Sequence, residues 1–435
     1  MNLKKRLSVV GALGITASLL LSACSGGAQP SGASDSSGSA SAWVLTGGTH
    51  ETIWKDSFDS WNSANPDNTI KTEWFANDAY KEKVRTAIGS GNAPTLVFGW
   101  GGATLKDYVA ANKVVDITAD TQTVLDKVIP SIAEGGKVDG KVYGVPNIGT
   151  QPVVLYYNKQ LFDQAGISVP TTWDELLSAV DTFKSEGVIP IALAGASKWT
   201  NMMWLEYMFD RVGGSDVFKK IAANEKDAWS DPAVLEALAK IQDLVKAGAF
   251  GDTFGSVVAD NNADVALVHT GKAAMLLQGS WAYGTFLTDS PDFVKAGNLG
   301  FAAFPTVADG KGDPSAIVGN QSNFWSVSAT ASEAAQTSAK KYLDNMFSDD
   351  YVKAMVEGGD IPVTKDAEKF IEGTDQADFV SFGYNLVLNS SNFQLSWDQE
   401  LPSDTSQVLL DNIQQLFNLS ITPQQFVDTM NATIK

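Results

Sequence analysis

From residue 43 onward the chain alternates short apolar runs with amphipathic stretches of helical period, a pattern that predicts an α/β fold with largely parallel strands. Thr95-Leu96-Val97-Phe98-Gly99-Trp100 has the length and composition of a buried strand, and the glycines from Gly99 to Gly102 predict a turn after it. In Val138-Asp139-Gly140-Lys141-Val142 an Asp-Gly pair sits between β-formers, as a tight hairpin requires. Thr172-Trp173-Asp174-Glu175 predicts a capping box, and Leu176, Leu177, Val180 and Phe183 follow at helical spacing. Asp231-Pro232 and Thr422-Pro423 each set a cap residue before a proline at the first helical position. The helices they open use Leu235, Leu238 and Ile241, then Phe426 and Met430.

The first 42 residues follow another pattern. Lys4, Lys5 and Arg6 precede an apolar or small run from Leu7 to Leu20, and small residues lead to Cys24, the order of an export signal over residues 1–23. The run is shorter than the roughly 20 apolar residues that span a bilayer, and Ser8, Gly11, Gly14, Thr16 and Ser18 interrupt it. Residues 24–42 are rich in Ser, Gly and Ala and are expected to form a flexible tether, because they bury too little surface to offset backbone entropy.

Charge and cysteine content narrow the class. The chain has 31 Lys and Arg against 50 Asp and Glu, a net charge of −19, which repels phosphate backbones and argues against nucleic acid. About 390 residues after the tether exceed one core and predict two lobes. Cys24 is the only cysteine and His50 and His269 the only histidines, so disulfides, zinc sites and a Ser-His-Asp triad are not expected; no cofactor, metal or catalytic residue is assigned.

Twelve tryptophans raise the main functional question. Trp100, Trp199, Trp281 and Trp397 sit among Gly, Ser, Asn and Gln, where a flat indole face suits the C–H face of a sugar ring and neighbouring polar groups suit its hydroxyls. Each of them could equally be a partly buried packing residue. Trp54, Trp61, Trp173, Trp204 and Trp325 lie in apolar or helical stretches and are assigned to packing.

Leu21-Ser22-Ala23-Cys24 resembles the lipobox of bacterial lipoproteins, which implies that Cys24 carries the lipid. The run Val153 to Leu177, with its Tyr-Tyr-Asn, Leu-Phe, Ala-Gly-Ile and Pro-Thr-Thr-Trp-Asp-Glu-Leu elements, resembles the extracellular solute-binding proteins, family 1, of ABC sugar importers. Thr270 to Phe286 and Asn323 to Val363 resemble two further blocks of that family. The resemblance implies two α/β lobes joined by three crossovers, near Gln151-Pro152, Val318-Gly319 and Ile361-Pro362. Residues 43–151 and 320–360 would form one lobe, 152–319 and 361–435 the other. An oligosaccharide would bind between them, and the closed form would dock on the permease subunits of the importer. The protein is expected to be a monomer on the extracellular face of the cell membrane, held there by lipid alone.

By the same resemblance Trp281 and Trp397 are expected to stack sugar rings, Trp100 and Trp199 to supply further platforms, and Gln151 to hydrogen-bond the sugar at the first crossover. Asp398, Asn201, His50 and Glu51 are additional polar candidates. Leu395 to Ser403 resembles the C-terminal block of importers of α-galactosides or xylo-oligosaccharides. Three other functions fit parts of the pattern. A surface glycoside hydrolase would need two carboxylates facing one bond, and only Asp398 and Glu400, two positions apart, suggest themselves. A binder of another solute would share the fold, whereas an adhesin would need no hinge.

Overall fold

The computed structural model describes residues 39–434, so Cys24 and the leader lie outside the described residues. Two sheets organise the chain. The first runs in the order Ile70–Phe75, Ala40–Leu45, Leu96–Gly99, Phe324–Val327, Val145–Pro146. The second runs Phe393–Leu395, Ile317–Asn320, Gln151–Asn158, Ala273–Gly279, Ile189–Ala192, with Leu299–Ala302 also pairing with Gln151–Asn158. Ala40, Ser41 and Ala42, expected in the tether, instead begin the first strand, in register with Ile70, Lys71 and Thr72.

The continuous apolar run at Gln151–Asn158 is explained by burial on both faces: Val153 and Leu155 enter one core of the second sheet, Val154 and Tyr156 the other. Trp54, Phe98, Trp325 and Tyr342 fill the core of the first sheet. Local signals fold as their chemistry dictates. Thr172 and Glu175 make a reciprocal capping box on helix Trp173–Ser185, and Asp231 caps helix Pro232–Lys246 from in front of its proline. Asp139 and Gly140, both at positive φ, turn the Lys137–Val138 and Lys141–Val142 hairpin.

The sheets are mixed rather than largely parallel. Phe324–Val327 runs antiparallel to both its neighbours, and Gln151–Asn158 runs antiparallel to Ala273–Gly279, Leu299–Ala302 and Ile317–Asn320. The cause is that the chain enters a sheet directly from the other one, without the covering helix that makes neighbours parallel.

Two of these passages lie side by side. The chain leaves the first sheet at Val145–Pro146 to enter the second at Gln151, and leaves the second at Asn320 to return at Phe324. Gly319 pairs with Pro152 and Asn320 with Gln151. Gly319 has φ +141°, and a Cβ there would stand 2.2 Å from the Gln151 carbonyl oxygen, so only glycine permits this approach. Ile361 joins by bridging Thr150. The third passage lies further along than expected. Val363 and Ala367 still pack in the first core, and Phe379 is the next residue to lie under the second sheet.

Candidate functional site

The paired passages floor a cleft holding about 1190 Å³ of empty space, its open mouth included. Gln151 and Asn320 project into it, and the Asn320 amide donates to Gln151 Oε1 at 3.5 Å. Asn323 lies beside them on the return passage. The Oδ1 atoms of Asn320 and Asn323 are buried with no hydrogen-bond partner in the protein. Buried acceptors without donors are costly, so each is free to take an O–H or N–H from water or a ligand.

Helix starts position the aromatic wall. Trp281 opens helix Trp281–Asp289 immediately after the second-sheet strand that ends at Gly279, and Trp199 opens helix Trp199–Gly213. Both rings line the cleft, half-buried, with centroids 6.0 Å apart and planes at 54°. Gly279 makes room for this corner, because a Cβ there would lie 2.0 Å from the Trp281 ring. Met202 and Met203, a helical turn after Trp199, continue the apolar wall. From the first sheet comes Trp100, packed edge-on against Phe98 and with the Lys81 ammonium 4.9 Å from its ring centroid.

The titratable groups of the cleft are already partnered. Lys81 Nζ donates to Asp398 Oδ2 at 2.9 Å. His50 Nε2 meets Asp360 Oδ1 at 2.6 Å, fixing the imidazole at the wall. Asp260 accepts from the Asp78 backbone N–H at 2.9 Å. Asp264 is fully buried, its Oδ1 accepting from Val265 N–H and its Oδ2 from the Gln278 amide. Burial pushes the Asp264 carboxyl up to about 6, against the pull of these two hydrogen bonds.

Of the nine residues expected at the site, Trp100, Trp199, Trp281, Gln151, Asp398 and His50 are brought together in the cleft. Three are not. Trp397 is 0 % exposed and belongs to the core of the second sheet, stacked on Phe218 at 4.4 Å and 2° with the edges of Phe209 and Trp229 against it. It begins the single helical turn Trp397–Glu400, whose start is fixed by its own backbone N–H donating to Glu206 at 2.7 Å. That turn sends the indole inward and Asp398 to the cleft; the polar neighbours that made Trp397 look exposed belong to the opposite side.

Asn201 is also 0 % exposed and does not line the cleft, since two residues along a helix are about 200° around it from Trp199. Glu51 caps its own helix, Gly48–Ala64, by accepting from the Gly47 N–H at 2.9 Å, and stays outside the cleft. The residues missed were Asn320, Asn323, Lys81, Asp260 and Asp264. The first two adjoin the expected crossover at Val318-Gly319, and that position was the available signal. Lys81 and Asp264 sit in helices that read as ordinary amphipathic ones, and nothing local distinguishes them.

Residues 47–353 match the family model described as bacterial extracellular solute-binding protein. Among solved structures, one from work on xylan utilization by the thermophilic bacterium Caldanaerobius polysaccharolyticus is 30% identical, with TM-score 0.79 over 91% of this chain and 100% of that one. The raffinose-bound binding protein RafE shares the fold at 21% identity, with TM-score 0.72 over 91% of this chain and 98% of its own. The multiple sugar-binding protein of Streptococcus mutans is 33% identical over 183 residues, 40% of this chain and 41% of that one. A probable sugar-binding periplasmic protein of Brucella suis is 30% identical over 210 residues, 47% and 48% of the two chains. The chain thus spans about half the length of the curated relatives it matches. With two lobes, paired passages and a cleft between them, this chain belongs to the bacterial extracellular solute-binding protein family.

Proposed function

We propose that this protein is the sugar-capturing component of an ABC importer, lipid-anchored through Cys24, and that it delivers a neutral oligosaccharide to a permease. The reading rests on one observation above all: two half-buried indoles, Trp199 and Trp281, form a 6.0 Å corner facing the buried amides of Gln151, Asn320 and Asn323. Sugars pair C–H faces with hydroxyl edges, and this wall offers a partner for each.

Magnitudes set the division of labour. Two stacked rings contribute roughly 0.5–1.5 kcal/mol each beyond area burial, while a micromolar Kd needs about 8. Hydrogen bonds in the desolvated cleft, at about 0.5–1.5 kcal/mol each and more where a charge takes part, supply much of the remainder. Closing of the lobes couples the two, since the sugar favours the closed form only by binding it better. The Asp398 and Glu400 pair that a glycoside hydrolase would use is not assembled in the cleft, because Glu400 does not line it.

Xylo-oligosaccharides are the first ligands to test, in view of the C-terminal block and the xylan-utilization relative, with raffinose as the α-galactoside arm. A thermal-shift screen of the chain is expected to show stabilisation of about 2.7 kcal/mol at a hundredfold excess of the correct sugar over its Kd. Trp281→Ala should weaken that sugar at least tenfold, about 1.4 kcal/mol, with little change in the Tm of the free protein. An unchanged Kd would remove Trp281 from the site. For the anchor, Cys24→Ala is expected to abolish incorporation of radiolabelled fatty acid in the producing cell; persistent labelling would place the lipid elsewhere.

A further inference from the structure

One turn of helix Asn77–Ser90 touches the opposite lobe at three points. The helix is rooted in the first core by Tyr80, Val84 and Ile88. From its first turn, Asp78 Oδ1 accepts from Trp199 Nε1 at 3.0 Å, the Asp78 backbone N–H donates to Asp260 Oδ2 at 2.9 Å, and Lys81 Nζ donates to Asp398 Oδ2 at 2.9 Å. The three partners come from separate segments of the second lobe: the start of helix Trp199–Gly213, the turn Ala259–Asn261 and the turn Trp397–Glu400. The Ala259–Asn261 turn is tied to the Trp199 loop through Ala259 N–H on Ser197 Oγ, at 3.1 Å.

The helix has no cap of its own. Ala76 stands at its N-cap with no side-chain hydrogen bond, so the Asp260 carboxylate, delivered from the other lobe, takes the orphan N–H at the positive end of the helix. The same turn governs two indoles. Asp78 holds the Trp199 ring by its N–H, and the Lys81 ammonium lies 4.9 Å from the Trp100 centroid and 6.0 Å from that of Trp199.

We propose that this turn is a cross-cleft latch in which Asp78 and Lys81 are positioning residues: they set the Trp199 and Trp100 platforms as the lobes meet. This rests on the sugar-binding reading of the cleft for its ligand, though not for its geometry. Asp78 separates positioning from contact, because it does not line the cleft and its effect must pass through Trp199 or through closure.

The test combines two measurements on the full chain. With xylotriose and raffinose as probes, Asp78→Ala should raise the Kd of whichever sugar the wild type binds about tenfold, mainly through koff. Asp78→Asn, which keeps an acceptor for Trp199 Nε1, should restore most of the affinity, and the Tm of the sugar-free protein should stay the same in both variants. Without sugar, Asp260→Ala should speed amide hydrogen exchange in residues 77–81 relative to wild type. Equal exchange in wild type and variant overturns the latch, as does a Kd unaltered by Asp78→Ala. Faster exchange together with no binding of any sugar by the wild type would overturn the proposed function and leave the latch standing.

Discussion

Trp397→Ala is expected to destabilise the protein by about 3–5 kcal/mol, the loss typical when a buried indole is removed and its cavity only partly collapses. The side chain is enclosed by Phe218, Phe209 and Trp229, and its backbone N–H is held by Glu206. Burial pushes the Glu206 carboxyl well above its ordinary value, against the pull of the hydrogen bond from the Trp397 N–H. A loss of this size lowers the Tm by roughly 10 °C in a unit of 150–250 residues. Differential scanning calorimetry of the sugar-free protein measures it. The contrast with Trp281→Ala is diagnostic: one variant loses stability, the other loses affinity. A Trp397→Ala protein that melts like wild type but no longer binds sugar would return Trp397 to the ligand wall.

Asp264 governs the second large effect. Its carboxyl lies at about 6 in the folded protein against 3.8 ordinarily, because burial disfavours the charged form. A group raised on folding gives stability that is fully present below its unfolded value and is lost as pH rises through its folded value. For Asp264 the loss runs from about pH 4 to just above pH 6 and amounts to about 3 kcal/mol. Asp264→Asn cannot ionise, so the stability gap between variant and wild type should move about 3 kcal/mol in favour of the variant between pH 4 and pH 7. Any fixed cost of setting an amide against the Gln278 amide cancels from this comparison. Urea unfolding of both proteins at several pH values reads it, and a gap that stays constant with pH would show that Asp264 folds charged.

How much of this was legible in the sequence depends on the range of the forces involved. The capping box at Thr172, the Asp231-Pro232 helix start and the Asp139-Gly140 hairpin are decided by a few adjacent residues, and each folds as read. Trp199 and Trp281 were legible as cleft residues because each opens a helix among small and polar neighbours. Trp397 has the same kind of neighbours, yet its direction is set by Glu206 and Phe218, nearly 180 residues away or more, and no local pattern carries that information. Asn201 failed for a simpler reason, the 100° step of the helix from Trp199. Strand direction was likewise misread, because apolar runs look alike whether a strand's neighbour arrives over a helix or straight from the other lobe.

The pairing of Gln151 with Asn320 across Gly319 has a mechanical consequence. These side chains lie on two of the passages between the sheets, where a rotation of the lobes about those passages would displace atoms least, whereas Trp199 and Lys81 are carried by the helices of the two lobes. If the lobes part in this way, as the proposed function requires, grip on a sugar would be lost from the rim inward, with the amides at the pivot the last to release it.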